Sequence, residues 1–286
     1  MIFSYNLLKM RWAKVEVKVA PTQRELLIGF LLREGIQQWE EGEGLIIYLP
    51  ANSSLKSFLK SLYEFILESL NEEGWSISLS YIDERDWGKE WKKAFPPRKV
   101  GDKLVIKPPW AEYKAKEGEI VLEIEPRSAF GTGEHPSTRL VLALLERYIK
   151  AGDLVIDVGC GSGILSFASI LLGARKVIGV DIDERAIEES KENAERLSLS
   201  DRAEFVRGNL LKDIPVVEVD IILCNIDLPS LGNLFPYLQY FLKKGGYLIA
   251  SGFTIEGYKL LEVPENLEEV EKKREGDWLG VVWRMR

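Results

Sequence analysis

The chain is poor in the residues on which much enzyme chemistry depends. Its 286 residues include one histidine, His135, and two cysteines, Cys160 and Cys224. A Ser–His–Asp mechanism or a zinc cluster needs more histidine or cysteine than this, and two cysteines do not make a disulfide framework. We therefore expect no metal site, and we expect any chemistry to come from a reactive cofactor that the protein positions.

Positive charge and long apolar runs are also scarce. The formal net charge is −7, whereas proteins that bind nucleic acid generally carry a basic face, so we expect no direct nucleic-acid grip. No apolar run approaches the ~20 residues that cross a bilayer, and the N-terminus lacks the pattern of a secretory signal. The sequence therefore favours a cytoplasmic protein without a membrane partner, and we expect a monomer.

What is present is an ordinary globular composition, 46% hydrophobic and 29% charged, over a length that allows two domains. In residues 1–82, the segments Lys14–Val19 and Trp75–Ile82 alternate like half-buried strands, and Leu55, Leu59 and Leu62 recur at helical spacing. The whole stretch reads βαββαβ, an order typical of a small ferredoxin-like α+β domain. That fold hosts unrelated functions, so by itself it indicates only a binding or structural module.

Residues 83–125 have a different composition, rich in tryptophan, proline and charge. We interpret them as a linker with a short helix, Asp86–Phe95, and a strand pair, Lys103–Lys107 and Ile120–Ile124. Interleaved Trp and Lys side chains are compatible with stacking on bases. A linker helix that packs on its neighbouring domain is the favoured interpretation.

The stretch Leu154–Gly163, LVIDVGCGSG, is the centre of the remaining chain. A short apolar strand runs into a glycine turn, and Ile164–Leu172 continue as an apolar helix, which together make the first half of a nucleotide-binding βαβ unit. Glycines let the backbone approach a ligand closely, and a new helix points free N–H groups at it. Taken alone, the motif is equally compatible with a simple tight turn.

Polar residues end the next apolar strands. Lys176–Val180 ends at Asp181, about 20 positions after the glycine turn, where a nucleoside ribose is held; a helix cap is the alternative role. Val219–Cys224 ends at Asn225. Strands and helices alternate as far as a closing hairpin over residues 267–285, which predicts a doubly wound α/β sheet with an antiparallel edge.

The glycine spacing separates two classes of cofactor. A dinucleotide motif, G-x-G-x-x-G counted from Gly159, would place glycine or alanine where the chain has Ile164, so a nicotinamide cofactor is disfavoured. The pattern D-x-G-x-G-x-G, Asp157–Gly163, resembles motif I of S-adenosylmethionine-dependent methyltransferases. The resemblance implies a seven-stranded sheet with a reversed C-terminal hairpin over residues 126–286, and S-adenosylmethionine as the cofactor.

Six segments in chain order resemble one family more specifically, bacterial ribosomal protein L11 methyltransferases (the PrmA family). They are DWGKEWKKAF, FGTGEHPST at 130–138, DVGCGSG at 157–163, VDID at 180–183, CNI at 224–226 and EGDWLGVVWR. The resemblance is weaker over residues 1–82, which it implies are the domain that holds the protein substrate. It implies that Thr138, Gly159, Asp181 and Asn225 bind the cofactor; Gly161 joins them as part of the turn, and we expect Phe130 to cover the cofactor unless it is a core aromatic.

The resemblance also implies methyl transfer to amino groups of ribosomal protein L11, either lysine side chains or the N-terminal α-amine. Asn225 is the candidate catalytic residue, since its side-chain oxygen can orient the amine; its alternative role is a plain loop residue. Fold and motif I do not name a substrate. A methyltransferase for another protein or a small amine, and a non-catalytic cofactor-binding factor in ribosome assembly, therefore remain as alternatives.

Overall fold

A computed structural model describes residues 12–20, 23–34, 36, 39–41, 44–50, 53–69, 74–82, 96–125 and 133–286. The chain divides into two compact units, Met1–Ala94 and Phe95–Arg286. The predicted helix Asp86–Phe95 and the predicted cofactor contact Phe130 lie outside the described residues. Within the described ranges, no helix is both long and apolar enough to cross a membrane.

The described residues of the N-terminal unit form a four-stranded antiparallel sheet with two helices. The elements are β1 (Trp12–Lys18), α1 (Arg24–Arg33), β2 (Glu40–Glu41), β3 (Leu45–Pro50), α2 (Ser53–Ser69) and β4 (Ser76–Ile82). The strand order is β2-β3-β1-β4. Alternate residues of β1, Val15 and Val17, are buried together with Leu27 of α1 and Leu62 of α2. The two-residue alternation of the strand thus turns one face of the sheet toward the helices.

The C-terminal unit begins with a small sheet of three strands: β5 (Arg98–Val100), β6 (Leu104–Lys107) and β7 (Ile120–Glu123). The sequence analysis found β6 and β7 but missed β5, because two of its three residues are exposed and a segment so short has no readable period. Val100, Leu104 and Leu122 belong to the same core as the helices of the large sheet. This segment is therefore an integral part of the C-terminal unit.

The large sheet has seven strands, in the order β10-β9-β8-β11-β12-β14-β13. Its elements are α3 (Pro136–Tyr148), β8 (Leu154–Val158), α4 (Ile164–Leu171), β9 (Lys176–Asp181), α5 (Glu184–Arg196), β10 (Ala203–Arg207), β11 (Val219–Asn225), α6 (Leu228–Phe241), β12 (Leu242–Thr254), α7 (Ile255–Tyr258), β13 (Leu267–Glu275) and β14 (Trp278–Met285). The five neighbouring strands β10, β9, β8, β11 and β12 pair in parallel, and β14 runs antiparallel to both β12 and β13. The predicted α/β class with a seven-stranded sheet is confirmed.

Each parallel strand sends alternate side chains to two separate cores. Val155 of β8 and Leu223 of β11 join the core that contains α3, α4 and α5, whereas Ile156 and Cys224 join the core that contains α6. Side chains of a strand alternate with period two. By the same alternation, Asp157 and Asn225 fall on the face of α3 and α4, and this shared face determines which polar groups meet there.

Candidate functional site

The glycine turn connects β8 to α4 in a conformation that requires glycine. Gly159, Gly161 and Gly163 all have positive φ, at 73°, 52° and 83°, a region that residues with a Cβ adopt at a cost. Gly163 is the N-cap of α4 and has no side chain to cap it. The first N–H groups of α4 therefore lack a side-chain cap, which is the usual arrangement where a turn receives a ligand.

Asp181 is tied to this turn through its carboxylate. Its Oδ2 accepts a hydrogen bond from the Gly161 N–H at 2.9 Å, and its Oδ1 accepts one from the Asp183 N–H at 3.0 Å. The N-cap of α5 is Asp183, whose side chain accepts from the Arg185 N–H. Asp181 is therefore not the helix cap. Its carboxylate lies against the glycine turn.

Asn225 and Thr138 meet although they are 87 positions apart in the chain. The Asn225 Nδ2 donates to the Thr138 Oγ1 at 3.1 Å. The Asn225 Oδ1 is buried and has no hydrogen-bond partner in the described part of the chain. A buried acceptor without a partner costs about 1–3 kcal/mol. This oxygen is therefore available to a donor that a ligand brings.

The helix that carries Thr138 begins at the chain's single histidine. His135 is the N-cap of α3, and its Nδ1 accepts from the Ser137 N–H at 3.3 Å. Its ring packs edge-on against Trp278, with 4.4 Å between ring centroids. Burial lowers the pKa of His135, and the nearby Arg139 charge lowers it further. A neutral imidazole therefore anchors the first turn of α3; the sequence predicted the helix start but not this cap.

Asp157 is a polar group whose importance the sequence analysis missed. Its side chain is fully buried; its Oδ2 accepts from the Ser166 Oγ at 2.7 Å, and its Oδ1 has no partner among the described residues. Burial raises the pKa of Asp157 to about 7, and the Asp181 charge acts in the same direction. The signal in the sequence is a carboxylate within an otherwise apolar strand.

The two cysteines near this edge are packing residues. Cys160 and Cys224 are both buried. Burial raises the pKa of each thiol well above its ordinary value, and the charge of Asp157 adds to the shift. Both thiols therefore stay protonated at neutral pH, which makes them poor nucleophiles.

These groups share one edge because of the strand order. Strands β9, β8 and β11 are neighbours and run in parallel, so their carboxyl ends lie side by side, where open α/β sheets bind ligands. The structure joins Gly161 to Asp181 and Thr138 to Asn225 by hydrogen bonds. A bare glycine turn, an anchored carboxylate and an unpaired amide oxygen fit a ligand with a nucleoside and polar substituents.

The comparisons with known proteins identify the family. A model of the family described as ribosomal protein L11 methyltransferase (PrmA) matches residues 13–285. The chain belongs to this family. It is 33% identical over 312 residues to the ribosomal protein L11 methyltransferase of Caldanaerobacter subterraneus subsp. tengcongensis, a match covering 97% of this chain and 100% of the relative.

Two further relatives support the same family assignment. The ribosomal protein L11 methyltransferase of Acetivibrio thermocellus is 38% identical over 251 residues, covering 85% of this chain and 80% of the relative. The crystal structure of ribosomal protein L11 methylase from Lactobacillus delbrueckii subsp. bulgaricus matches with a TM-score of 0.62 and 28% identity, covering 67% of this chain and 100% of that chain. The chain is thus a methyltransferase of the S-adenosylmethionine-dependent class, and the predicted cofactor is confirmed.

Proposed function

We propose that this protein transfers methyl groups from S-adenosylmethionine to amino groups of ribosomal protein L11, on lysine side chains, the N-terminal α-amine, or both. The proposal rests on the substrate in the names of relatives that match nearly the whole chain. A ribosomal protein as substrate supports a cytoplasmic location, and a monomer is part of the proposal. Size-exclusion chromatography with light scattering tests the monomer, which a stable dimer would contradict.

We also propose a division of labour along the chain. Residues 1–82 are a ferredoxin-like domain that recognises the protein substrate, 83–125 lead from it into the catalytic part and include the small sheet that packs on its core, and 126–286 are the methyltransferase domain with its C-terminal hairpin. The strand order β2-β3-β1-β4 with two helices supports the first assignment. The antiparallel pairing of β13 with β14 supports the hairpin.

Individual residues are proposed to hold different parts of the cofactor. Gly159 and Gly161 leave the backbone of the turn open to it, and Asp181 accepts hydrogen bonds from ribose hydroxyls while it remains bonded to the Gly161 N–H. Thr138 and Asn225 form the neighbouring wall. The prediction that Phe130 covers the cofactor stays a prediction.

The observation that carries the proposed mechanism is the unpaired Oδ1 of Asn225. The bound cofactor supplies an activated methyl group on a sulfonium. Asn225 accepts a hydrogen bond from the incoming amine, and Thr138 holds the amide in place. The amine must be neutral to attack. An α-amine, with a pKa near 8, is therefore easier to deprotonate than a lysine, with a pKa of about 10.4.

Transfer of labelled methyl groups tests the proposal. Purified ribosomal protein L11 is incubated with the enzyme and methyl-labelled S-adenosylmethionine, and we expect label in its amino groups. Label in other proteins or small amines but not in L11 would favour a different substrate. Cofactor binding without any transfer would favour a non-catalytic assembly factor. Either result would contradict the proposed substrate.

A further inference from the structure

Asp157 is a buried carboxylate without a positively charged partner in the described part of the chain. It is fully buried, and its hydrogen-bond donors both come from Ser166, the Oγ at 2.7 Å and the backbone N–H. Its Oδ1 has no hydrogen-bond partner among the residues that the structure describes. Burying an ionised carboxylate is costly unless a cation or several donors compensate it. The described residues therefore do not fully compensate the cost of ionising Asp157.

The groups that face Asp157 from the surrounding elements are neutral or negative. Asp181, at the end of β9, adds a like charge. Cys160 in the glycine turn and Cys224 on β11 are buried thiols, and Ser166 on α4 is a neutral donor. Burial, as the main cause, and the Asp181 charge raise the pKa of Asp157 to about 7, although the Ser166 hydrogen bonds act to lower it. A positive charge brought into the site would lower that pKa again.

The transfer reaction moves one positive charge from the cofactor to the substrate. The amine lone pair forms the new C–N bond, the C–S bond breaks, and its electron pair stays on sulfur. The cofactor would thereby be left as the neutral thioether of S-adenosylhomocysteine, and the methylated nitrogen would be an ammonium that carries the positive charge away with the protein product. A nearby buried carboxyl group with few partners is sensitive to such a change, because opposite charges stabilise its ionised form.

We propose that Asp157 is a specificity-determining residue that favours the cationic cofactor over its neutral product by releasing a proton when the cofactor binds and regaining it once the methylated amine has left. The inference rests on the cofactor of the proposed function. It goes beyond that function by assigning a proton-linked step to a residue outside the predicted binding set. Asp157 acts through its charge, and the hydrogen bond from Ser166 favours the ionised form of its carboxyl group.

Calorimetry counts the proton directly. S-adenosylmethionine and S-adenosylhomocysteine are titrated into the full chain between pH 6 and pH 8, in buffers of different ionisation enthalpy, with wild type and Asp157→Asn in parallel. The difference between the two proteins removes the contribution of the ligand's own amine. When S-adenosylmethionine binds, we expect wild type to release more protons than Asp157→Asn. When S-adenosylhomocysteine binds, we expect wild type to release fewer protons than Asp157→Asn. The ratio of the cofactor affinity of wild type to that of Asp157→Asn should rise by up to about tenfold as the pH increases from 6 to 8.

A matched pair of serine variants tests the same proposal without touching the carboxylate. Ser166→Ala removes the side-chain donor to Asp157 and keeps the backbone N–H of that residue, whereas Ser169→Ala, on the same helix, removes a buried donor to the Leu165 carbonyl. Loss of the Ser166 hydrogen bond should move the midpoint of the pH dependence upward, because that bond favours the ionised carboxyl. Ser169→Ala should leave the midpoint unchanged.

Equal proton release by folded wild type and Asp157→Asn would overturn the proposal, as would equal midpoints for the two serine variants. If Asp157→Asn fails to fold, the serine pair decides alone. The measurement needs no ribosomal protein. Failure of wild type to methylate L11 would therefore refute the proposed substrate and leave this test standing.

Discussion

Two regions of the C-terminal unit differ in how their polar side chains are partnered. One is the carboxyl edge of β8, β9 and β11, and the other is the C-terminal hairpin of β13 and β14. Along β13 three carboxylates are partnered: Glu271 accepts from the Tyr148 hydroxyl at 2.7 Å, Glu269 pairs with Lys272 at 2.9 Å, and Glu275 pairs with Arg139. At the carboxyl edge, Asp157 and Asn225 each keep a buried oxygen without a partner among the described residues.

We interpret this difference as one between polar groups that stabilise the fold and polar groups that contact a ligand. Partly exposed ion pairs are screened by solvent, so each contributes little to stability. Buried unpaired oxygens lower the stability of the free protein, and a donor on a bound ligand would remove that cost. Substitutions in the two regions should therefore differ in kind, with large effects on binding and rate at the edge and small effects on stability along β13.

The largest effect is expected for Asn225→Ala. Losing the amide that aligns the amine should lower methyl transfer at saturating cofactor by about a hundredfold, the scale that a misplaced reactant costs. Single-turnover kinetics measures the rate. The matched control is Asn266→Ala, which removes an amide that contacts Met285 at the far end of the hairpin and should leave the rate near normal. A near-normal rate for folded Asn225→Ala would reduce Asn225 to a loop residue.

Asp181→Ala should weaken cofactor binding by about 1.5–3 kcal/mol, the scale of hydrogen bonds to a charged group. The variant also frees the Gly161 N–H from its partner. Isothermal calorimetry gives the affinity, and Glu269→Ala on β13 serves as the control that should bind normally. Unchanged affinity in a folded Asp181→Ala protein would remove Asp181 from the site.

Asp157→Asn should make the ligand-free protein more stable, and increasingly so as the pH rises. The pKa of Asp157 in the folded protein, about 7, lies above its ordinary value of 3.8. The folded state therefore keeps this proton up to a higher pH than the unfolded state does. Stability that is present at low pH is therefore lost as the pH rises through about 7. We expect the advantage of the variant to grow by roughly 1–3 kcal/mol between pH 5 and pH 8.

Thermal unfolding at the two pH values measures this advantage, and Asp220→Asn gives the opposite control. Burial raises the pKa of Asp220, but the Leu154 N–H and Lys243 lower it by more. Asp220→Asn should therefore destabilise the protein at neutral pH. Equal pH dependence of wild type and Asp157→Asn would show that the free protein tolerates the ionised carboxylate.

The smallest effect is expected for Glu271→Gln. Its carboxylate accepts from the Tyr148 hydroxyl and pairs with Arg147, whose side chain is 60% exposed. We expect a loss of at most about 1 kcal/mol in the free energy of unfolding, measured in urea, with unchanged cofactor affinity. A much larger loss, or weaker cofactor binding, would break the contrast between the two regions.

Much of the architecture follows from local sequence signals. The alternation of apolar strands with helices predicted the α/β class, since strand and helix periods differ and each is readable within one segment. The glycine turn and Ile164 separated the two cofactor classes from a few adjacent positions. Asp181 and Asn225 were predicted because each follows an apolar run directly, and a parallel strand ends near a ligand.

Tertiary structure alone decided how these positions are paired. The bond between Asn225 and Thr138 joins residues 87 positions apart, and the unpaired oxygen of Asp157 depends on what packs around it from other elements. Neither follows from the periodicity of one segment, because both depend on the strand order β9-β8-β11. The sequence by itself determined which polar residues end the strands; the assembled sheet determined which of their atoms are left for a ligand, since burial and partners exist only once distant segments pack together.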